Sequence, residues 1–290
     1  MSRGVGRWIF WIFLMAGVGM GVSMMRPDAE RYPEVAACGG DLMAALRAAA
    51  GRMGVRLVGL GEAYPPEGLS RHFVAALEAE CGDVHVELRP ERREVGVTLR
   101  LPLVGVAAVA VVWSLEVAIE VAQAWQAGMP LADMAARWEF LMVSPKALAH
   151  DQGGGVAYEW ESVRRLPDRL VDHTLVEAAF RSPQLSSLFP MVSHGSLQFR
   201  RLTVSAPGSD VPSVFPLGEG RWRVICLWDQ GIPVRTADTV EEAVRLVVEG
   251  LPEGCGSALE VIHDARRAME TKARGGNGTE DETLVRNPNA

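Results

Sequence analysis

Val84-His85-Val86-Glu87-Leu88-Arg89 and Glu94-Val95-Gly96-Val97-Thr98-Leu99-Arg100-Leu101 put an apolar residue at every second position. A period of two belongs to a strand with one face on a core and the other towards water. Pro90 to Arg93 between them supplies the turn, so the two stretches predict a half-buried antiparallel hairpin. Leu101 to Trp113, which follows, carries no charge, but Pro102 and Gly105 interrupt it and its 13 residues are too few to cross a bilayer. It reads as a buried strand feeding a helix. Ser114 caps that helix, Glu116 suits its first turn, Leu115, Ala118, Ile119, Ala122 and Trp125 form its apolar stripe, and Gly128 ends it. A short helix then starts at Met129-Pro130-Leu131 and runs through Trp138.

Working towards the amino terminus, the spacing predicts a helix over Glu67 to Glu80, with Leu69, Phe73, Ala76 and Leu77 on one side and Gly82 as the stop. An earlier helix starts at Asp41, with Leu42, Ala45, Leu46 and Ala49 at helical spacing before Gly51 and Gly54. Pro27 to Gly40 reads as a linker. Towards the carboxyl terminus, Val156 to Leu166 and Asp168 to Phe180 read as helices, the latter lined by Leu170, Val171, Thr174, Leu175 and Ala178. Ser182-Pro183 starts a further turn. Strands follow at Leu197 to Val204, Val214 to Leu217, Arg221 to Leu227 and Ile232 to Thr236, with Gly218-Glu219-Gly220 as a turn. Asp238 and Glu241 resemble a capping box for a helix faced by Val240, Ala243, Val244 and Val247 and ended by Gly250.

These elements make an α+β protein of antiparallel sheets with helices packed on one face, and suggest two diverged β-β-β-α halves. The segments are 1–26 apolar, 27–143 and 144–263 as the two halves, and 264–290 as a polar, Gly-rich tail expected to be disordered. The chain has 290 residues, of which 48% are hydrophobic and 22% charged, enough to bury a core. Its net charge of −7, with no basic stretch, excludes a nucleic-acid footprint. Trp8 to Met25 is an uncharged run behind Arg3 and Arg7 and before Arg26. It is an uncleaved membrane anchor, a cleaved signal, or a stretch never made because translation starts at Met24 or Met25.

Candidate chemistry is sparse. In Ser193-His194-Gly195-Ser196, His194 is the base and Ser196 the nucleophile of a possible hydrolase or cyclase, although no Gly-x-Ser-x-Gly turn is present and a turn histidine is the simpler reading. His85, Glu87, Arg89 and Arg100, with Thr98, share the polar side of the first hairpin and suit a polar or anionic ligand, or simply water. His85-Val86-Glu87 begins like a zinc deaminase signature but lacks the Pro-Cys-x-x-Cys. Cys38, Cys81, Cys226 and Cys255 form no CxxC pair, so no metal site is expected. Neither Gly17-Val18-Gly19-Met20-Gly21 nor Gly153-Gly154-Gly155 follows a strand, and no Walker, HExxH or EF-hand motif occurs, so no cofactor is expected. Lys146 and Lys272 are the two lysines, which disfavours Schiff-base chemistry. Trp113, Trp125, Trp138, Trp160, Trp222 and Trp228 line a pocket between the halves or, by default, fill cores.

Tyr32-Pro33-Glu34-Val35-Ala36-Ala37, the helix from Asp41 to Ala50, and Ala124-Trp125-Gln126-Ala127-Gly128-Met129-Pro130-Leu131 form one set of motifs. A second set is Leu188-Phe189-Pro190 through Ser193-His194-Gly195-Ser196-Leu197, and Asp238-Thr239-Val240-Glu241-Glu242-Ala243 through Leu251-Pro252-Glu253-Gly254-Cys255-Gly256. Together they resemble an actinobacterial family of unknown function labelled as natural-product biosynthesis proteins, over about Tyr32 to Leu259. The resemblance implies a place among biosynthetic genes and supplies no catalytic residues. Its members begin shortly before the Tyr-Pro-Glu-Val segment, which favours the late start, and are less apolar over Leu101 to Trp113. The sequence thus points to a cytoplasmic accessory protein that binds a biosynthetic protein or a small metabolite, with no nucleic acid, and with a membrane only if 8–25 are retained.

Overall fold

The structure, a computed structural model, describes residues 25–63, 70–102, 104–203, 210–226 and 234–264. The Pro27 to Gly40 linker is a correction: it carries a short helix, α1 (Pro33–Ala36), and Tyr32 and Val35 are buried in the core. The Tyr32 hydroxyl sits inside the turn of the first hairpin, 2.8 Å from the Arg89 carbonyl and 2.9 Å from that of Glu94, and it accepts from the Glu94 amide at 3.1 Å. A phenol that satisfies turn carbonyls in this way pins the amino-terminal segment to a sheet 57 or more residues away. Helix α2 (Leu42–Arg52) follows its predicted cap, with Asp41 accepting from the Ala44 amide at 2.9 Å.

The first sheet is an antiparallel meander in chain order: β1 (Leu60–Gly61), β2 (Val74–Leu77), β3 (Val84–Leu88), β4 (Val95–Leu101), β5 (Gly105–Val112) and β6 (Met142–Val143). The β3–β4 register pairs Val86 with Val97 and Val84 with Leu99, so the alternating apolar residues share the buried face. The helix expected over Glu67 to Glu80 is not there. Ser70 caps a single 3-10 turn, Arg71–Phe73, and the chain then enters β2, which pairs with β3; residues 67–69 lie outside the described residues. Phe73-Val74-Ala75-Ala76-Leu77 is a short, wholly apolar run, and periodicity alone does not separate a buried strand from a helix there. Pairing on both sides decides for the strand.

Helix α3 (Leu115–Gln126) is capped by Ser114 and crosses the buried face over β3, β4 and β5; α4 (Leu131–Arg137) follows. Trp125 is fully buried, and its indole Nε1 donates to the Gly82 carbonyl at 3.2 Å. Gly82 has φ +129°, and a Cβ there would fall 1.9 Å from the Arg100 carbonyl oxygen, so only glycine fits between the strands.

The chain continues through α5 (Pro145–Asp151), α6 (Gly155–Arg164), α7 (His173–Arg181), α8 (Pro183–Ser186), β7 (Phe189–Ser193), β8 (Ser196–Arg200), β9 (Ser213–Gly218), β10 (Arg221–Ile225), β11 (Arg235–Ala237) and α9 (Val240–Glu249). These strands form an antiparallel sheet in the order β11-β10-β9-β8-β7. The helix expected from Asp168 starts at His173 instead, because Asp172 caps it by accepting from the Thr174 and Leu175 amides. Leu170 and Val171 therefore precede it. The cap of α9 is Thr239 rather than Asp238: its hydroxyl accepts from the Glu242 amide, while the Glu242 carboxylate accepts from the Asp238 amide. Strand β7 had no clear signal, since Pro190 interrupts it; as an edge strand it tolerates the proline.

The result is an α+β fold with two antiparallel sheets: α3 closes over β3 to β5 before β6 joins the edge of the first, and α9 closes over the second after β11. Each sheet is also preceded by a helix, α2 or α7, that packs on the closing helix, α3 or α9. Buried apolar residues form two clusters, one built from residues of α1 to α5 and one from residues of α6 to α9. A carboxy-terminal strap, Ala258 to Asp264, joins them. Leu259 exchanges backbone hydrogen bonds with Arg201 and Thr203, yet Ile262 packs in the first cluster. Among the described residues no helix is long and apolar enough to cross a membrane. Residues 8–24 of the apolar run and 265–290 of the tail, with Trp228, lie outside the described residues.

Candidate functional site

Three places gather polar chemistry. The first is the turn between β7 and β8. Ser193 and Ser196 pair, and the two residues between them have positive φ, +50° at His194 and +78° at Gly195, the geometry of a tight hairpin turn of the primed kind. The Ser193 hydroxyl lies 3.0 Å from His194 Nδ1. Ser196 is fully buried: its hydroxyl donates to the Ser193 carbonyl and accepts from Gln198 Nε2 at 3.1 Å. The turn therefore holds His194 outwards and Ser196 inwards, and no hydrogen bond joins them among the described residues. Beside His194, a cleft of about 420 Å³ is lined by Leu166, Arg169, Leu170, Val192 and Gly195.

The second is the outer face of the first sheet. Residues His85 and Glu87 of β3 and Thr98 and Arg100 of β4 point away from the helices, as the alternation requires. The structure divides the candidate set. Arg89 pairs with Glu87 at 2.9 Å. His85 and Arg100 instead line an open groove of about 650 Å³ with Asp83, Pro102, Val104 and Gly105. Burial, with the Arg100 guanidinium adding to it, holds the His85 pKa below its ordinary value.

The same face becomes apolar towards its β5–β6 side. Val109 pairs with Met142, Val111 continues along the strand on the same side, and Trp113 follows just past the strand's end. Val106, Val111, Trp113, Phe140 and Met142 are all exposed, Trp113 at 68% and Met142 at 64%. Leu101 to Trp113 was expected to be buried, but only its inward half is. β6 has two residues, and among the described residues Val106 and Val111 on the outer side of β5 stay exposed. Trp125 and Trp160 fill the cores, whereas Trp113 does not.

The third place was not legible in the sequence. His150, in α5, is 1% exposed, and neither ring nitrogen has a hydrogen-bond partner among the described residues. It lies against Phe189, with ring centroids 6.0 Å apart. Across from it, Glu260 of the strap accepts from the Val156 amide at 3.0 Å, acting as the cap α6 lacks, while its other oxygen is buried without a partner among the described residues. Gly155 makes room for both: a Cβ would fall 2.6 Å from His150 Nδ1 and 2.8 Å from Glu260 Oε2. Burial, then the nearby Lys146 ammonium, pushes the His150 pKa down to about 4. Lys146 itself pairs with Glu159 at 3.1 Å. Nothing in the sequence marks this cluster, because its members are a lone helical histidine and a glutamate 110 positions later. Among the described residues no group of three His, Cys, Asp or Glu side chains is placed to hold a metal ion.

Residues 155–262 match a family of unknown function (DUF6193). The matched stretch runs from Gly155 at the start of α6 to Ile262 in the strap, and so takes in the His194 turn and Glu260 but not the outer face of the first sheet. No curated protein and no solved structure matches the chain.

Proposed function

We propose that this chain is a binding protein of natural-product biosynthesis that works in the cytoplasm and docks a partner protein of the same apparatus on the outer face of its first sheet. The observation that carries this reading is the exposure of Val106 and Val111 on β5, Trp113 just past its end, Phe140 before β6 and Met142 on β6. Contiguous exposed apolar groups on a soluble surface mark interaction sites, and aromatic residues with methionine are the types enriched at the centres of interfaces. The Glu87–Arg89 ion pair, His85 and Arg100 on the same face supply a polar rim. Neither cleft described above is lined by these exposed apolar side chains, which suits a protein better than a small metabolite, since metabolites favour concave pockets. The association with biosynthesis rests on the resemblance of the motifs from Tyr32 to Gly256.

The rival, a hydrolase using His194 and Ser196, has less support, because Ser196 is buried and bonded within its own turn. Native mass spectrometry of the tagged protein from its own host, beside the Trp113→Ser, Met142→Ser double variant, separates the two. Expected is one stoichiometric protein adduct that rebinds purified wild type and is lost from a variant of unchanged melting temperature. A bare wild-type chain, or an adduct indifferent to the substitutions, overturns the proposal. Turnover of a cluster intermediate that His194→Ala abolishes would establish the rival.

A further inference from the structure

The cleft beside His194 lies in the other half of the molecule from the proposed docking face, and none of its groups is used by that proposal. Its walls are fixed from two sides. The β7–β8 turn is held by the Ser193–Ser196 pairing and by the Ser196 hydrogen bonds. The opposing loop is tied to the same turn by a bridge between Val171 and Gly195, and at its start by a 3.1 Å contact between His173 Nε2 and the Leu166 carbonyl. The space of about 420 Å³ between them falls within the range of small-molecule sites.

Its lining is of two kinds. Leu166, Leu170 and Val192 provide an apolar wall, and Leu170 remains 45% exposed. Arg169 and His194 bring cationic and hydrogen-bonding groups to the same cleft. Arg169 makes no ion pair among the described residues. Of the neighbouring carboxylates, Asp172 is engaged by the Thr174 and Leu175 amides as a helix cap, and Asp168 is exposed. His194 occupies a left-handed position that glycine or asparagine fills at less cost, so the backbone there is strained in a way that presents an imidazole.

We infer that this cleft binds a small amphipathic anion, a carboxylate or phosphate attached to an aliphatic or aromatic body, with Arg169 and His194 on the head and Leu166, Leu170 and Val192 on the body. Guanidinium recognition of such a head is charge-assisted, and the apolar wall adds burial in proportion to the tail. No bond is made or broken.

The test is titration of the full chain with octanoate, octyl phosphate and 1-octanol, followed by calorimetry and by amide NMR shifts. Expected is binding of one or both anions, with shifts centred on residues 166–171 and 192–195 and octanol weaker by about tenfold or more. Arg169→Gln and His194→Gly should each weaken the anion by a similar factor. His194→Gly relieves the left-handed strain, so a loss of binding in that variant at an unchanged melting temperature is a loss of the imidazole and not of the fold. A preference for octyl phosphate over octanoate, or the reverse, names the head group. Equal binding of octanol, unchanged affinity in both variants, shifts centred on Trp113 and Met142, or no binding of either anion overturns the inference.

Discussion

His150→Leu should flatten the acid side of the stability curve. The imidazole is 1% exposed and its pKa in the folded chain is about 4, against 6.5 for an ordinary histidine. Because the folded value is depressed, the unfolded chain takes up the proton first as pH falls. Stability from this group is therefore intact above pH 6.5 and is lost progressively down to about pH 4. At about 1.4 kcal/mol per pKa unit the whole loss approaches about 3 kcal/mol, of which about 2 kcal/mol falls between pH 7 and pH 5. Leucine fills a similar space against Phe189 and carries no proton. Urea titrations of both proteins at pH 7 and pH 5 compare the losses, and any constant effect of the substitution cancels. The wild type should lose about 2 kcal/mol more than the variant across that interval. Two groups face the ring with opposite effects: Lys146 reinforces the shift, whereas the Glu260 carboxylate across Gly155 would favour the charged imidazole. Equal losses in the two proteins, or an NMR titration of His150 near 6.5 in the folded chain, would mean that Glu260 prevails and would refute the reasoning.

Four further outcomes are expected. Gly155→Ala should cost about 1–3 kcal/mol, since the new methyl meets both His150 and Glu260; a variant as stable as wild type in urea would show that the strap moves freely. Thr239→Ala should cost about 1 kcal/mol through loss of the α9 cap, and Asp238→Ala distinctly less, because the Glu242 carboxylate bonds the Asp238 backbone rather than its side chain. Replacing Trp125 with alanine should cost about 3–5 kcal/mol, while Trp113→Ala stays within about 0.5 kcal/mol, a contrast in melting temperature that tests which indole is core. His194→Gly should add about 0.5–1 kcal/mol, and a destabilised variant would show that the imidazole holds the turn.

What could be read from residues alone follows from the range of the interactions. The β3–β4 hairpin, the Ser114 cap and the Gly218-Glu219-Gly220 turn are decided by neighbours within a few positions, and all three were legible. Strand β2 was not, because Phe73 to Leu77 offers no polar residue to set a period, and β3 and β1 supply the deciding hydrogen bonds. The shift of the α7 start to His173 turned on whether Asp168 or Asp172 caps, two equivalent residues in sequence. The α5 histidine became chemistry only when the strap delivered Glu260 to it. Likewise Val111 and Met142 are ordinary strand residues until the sheet leaves their side uncovered.

Ile262 gives the strap a consequence during synthesis. The rest of the first core is complete in sequence by Ala147, yet one of its apolar side chains is encoded over a hundred residues later. A ribosome adding about 5–20 residues per second reaches it roughly 6–23 seconds after that point. Over that interval the first cluster is still open on the strap side, and the uncovered outer face of the first sheet is exposed with it. Chaperone engagement of nascent chains should accordingly persist until Ile262 has emerged.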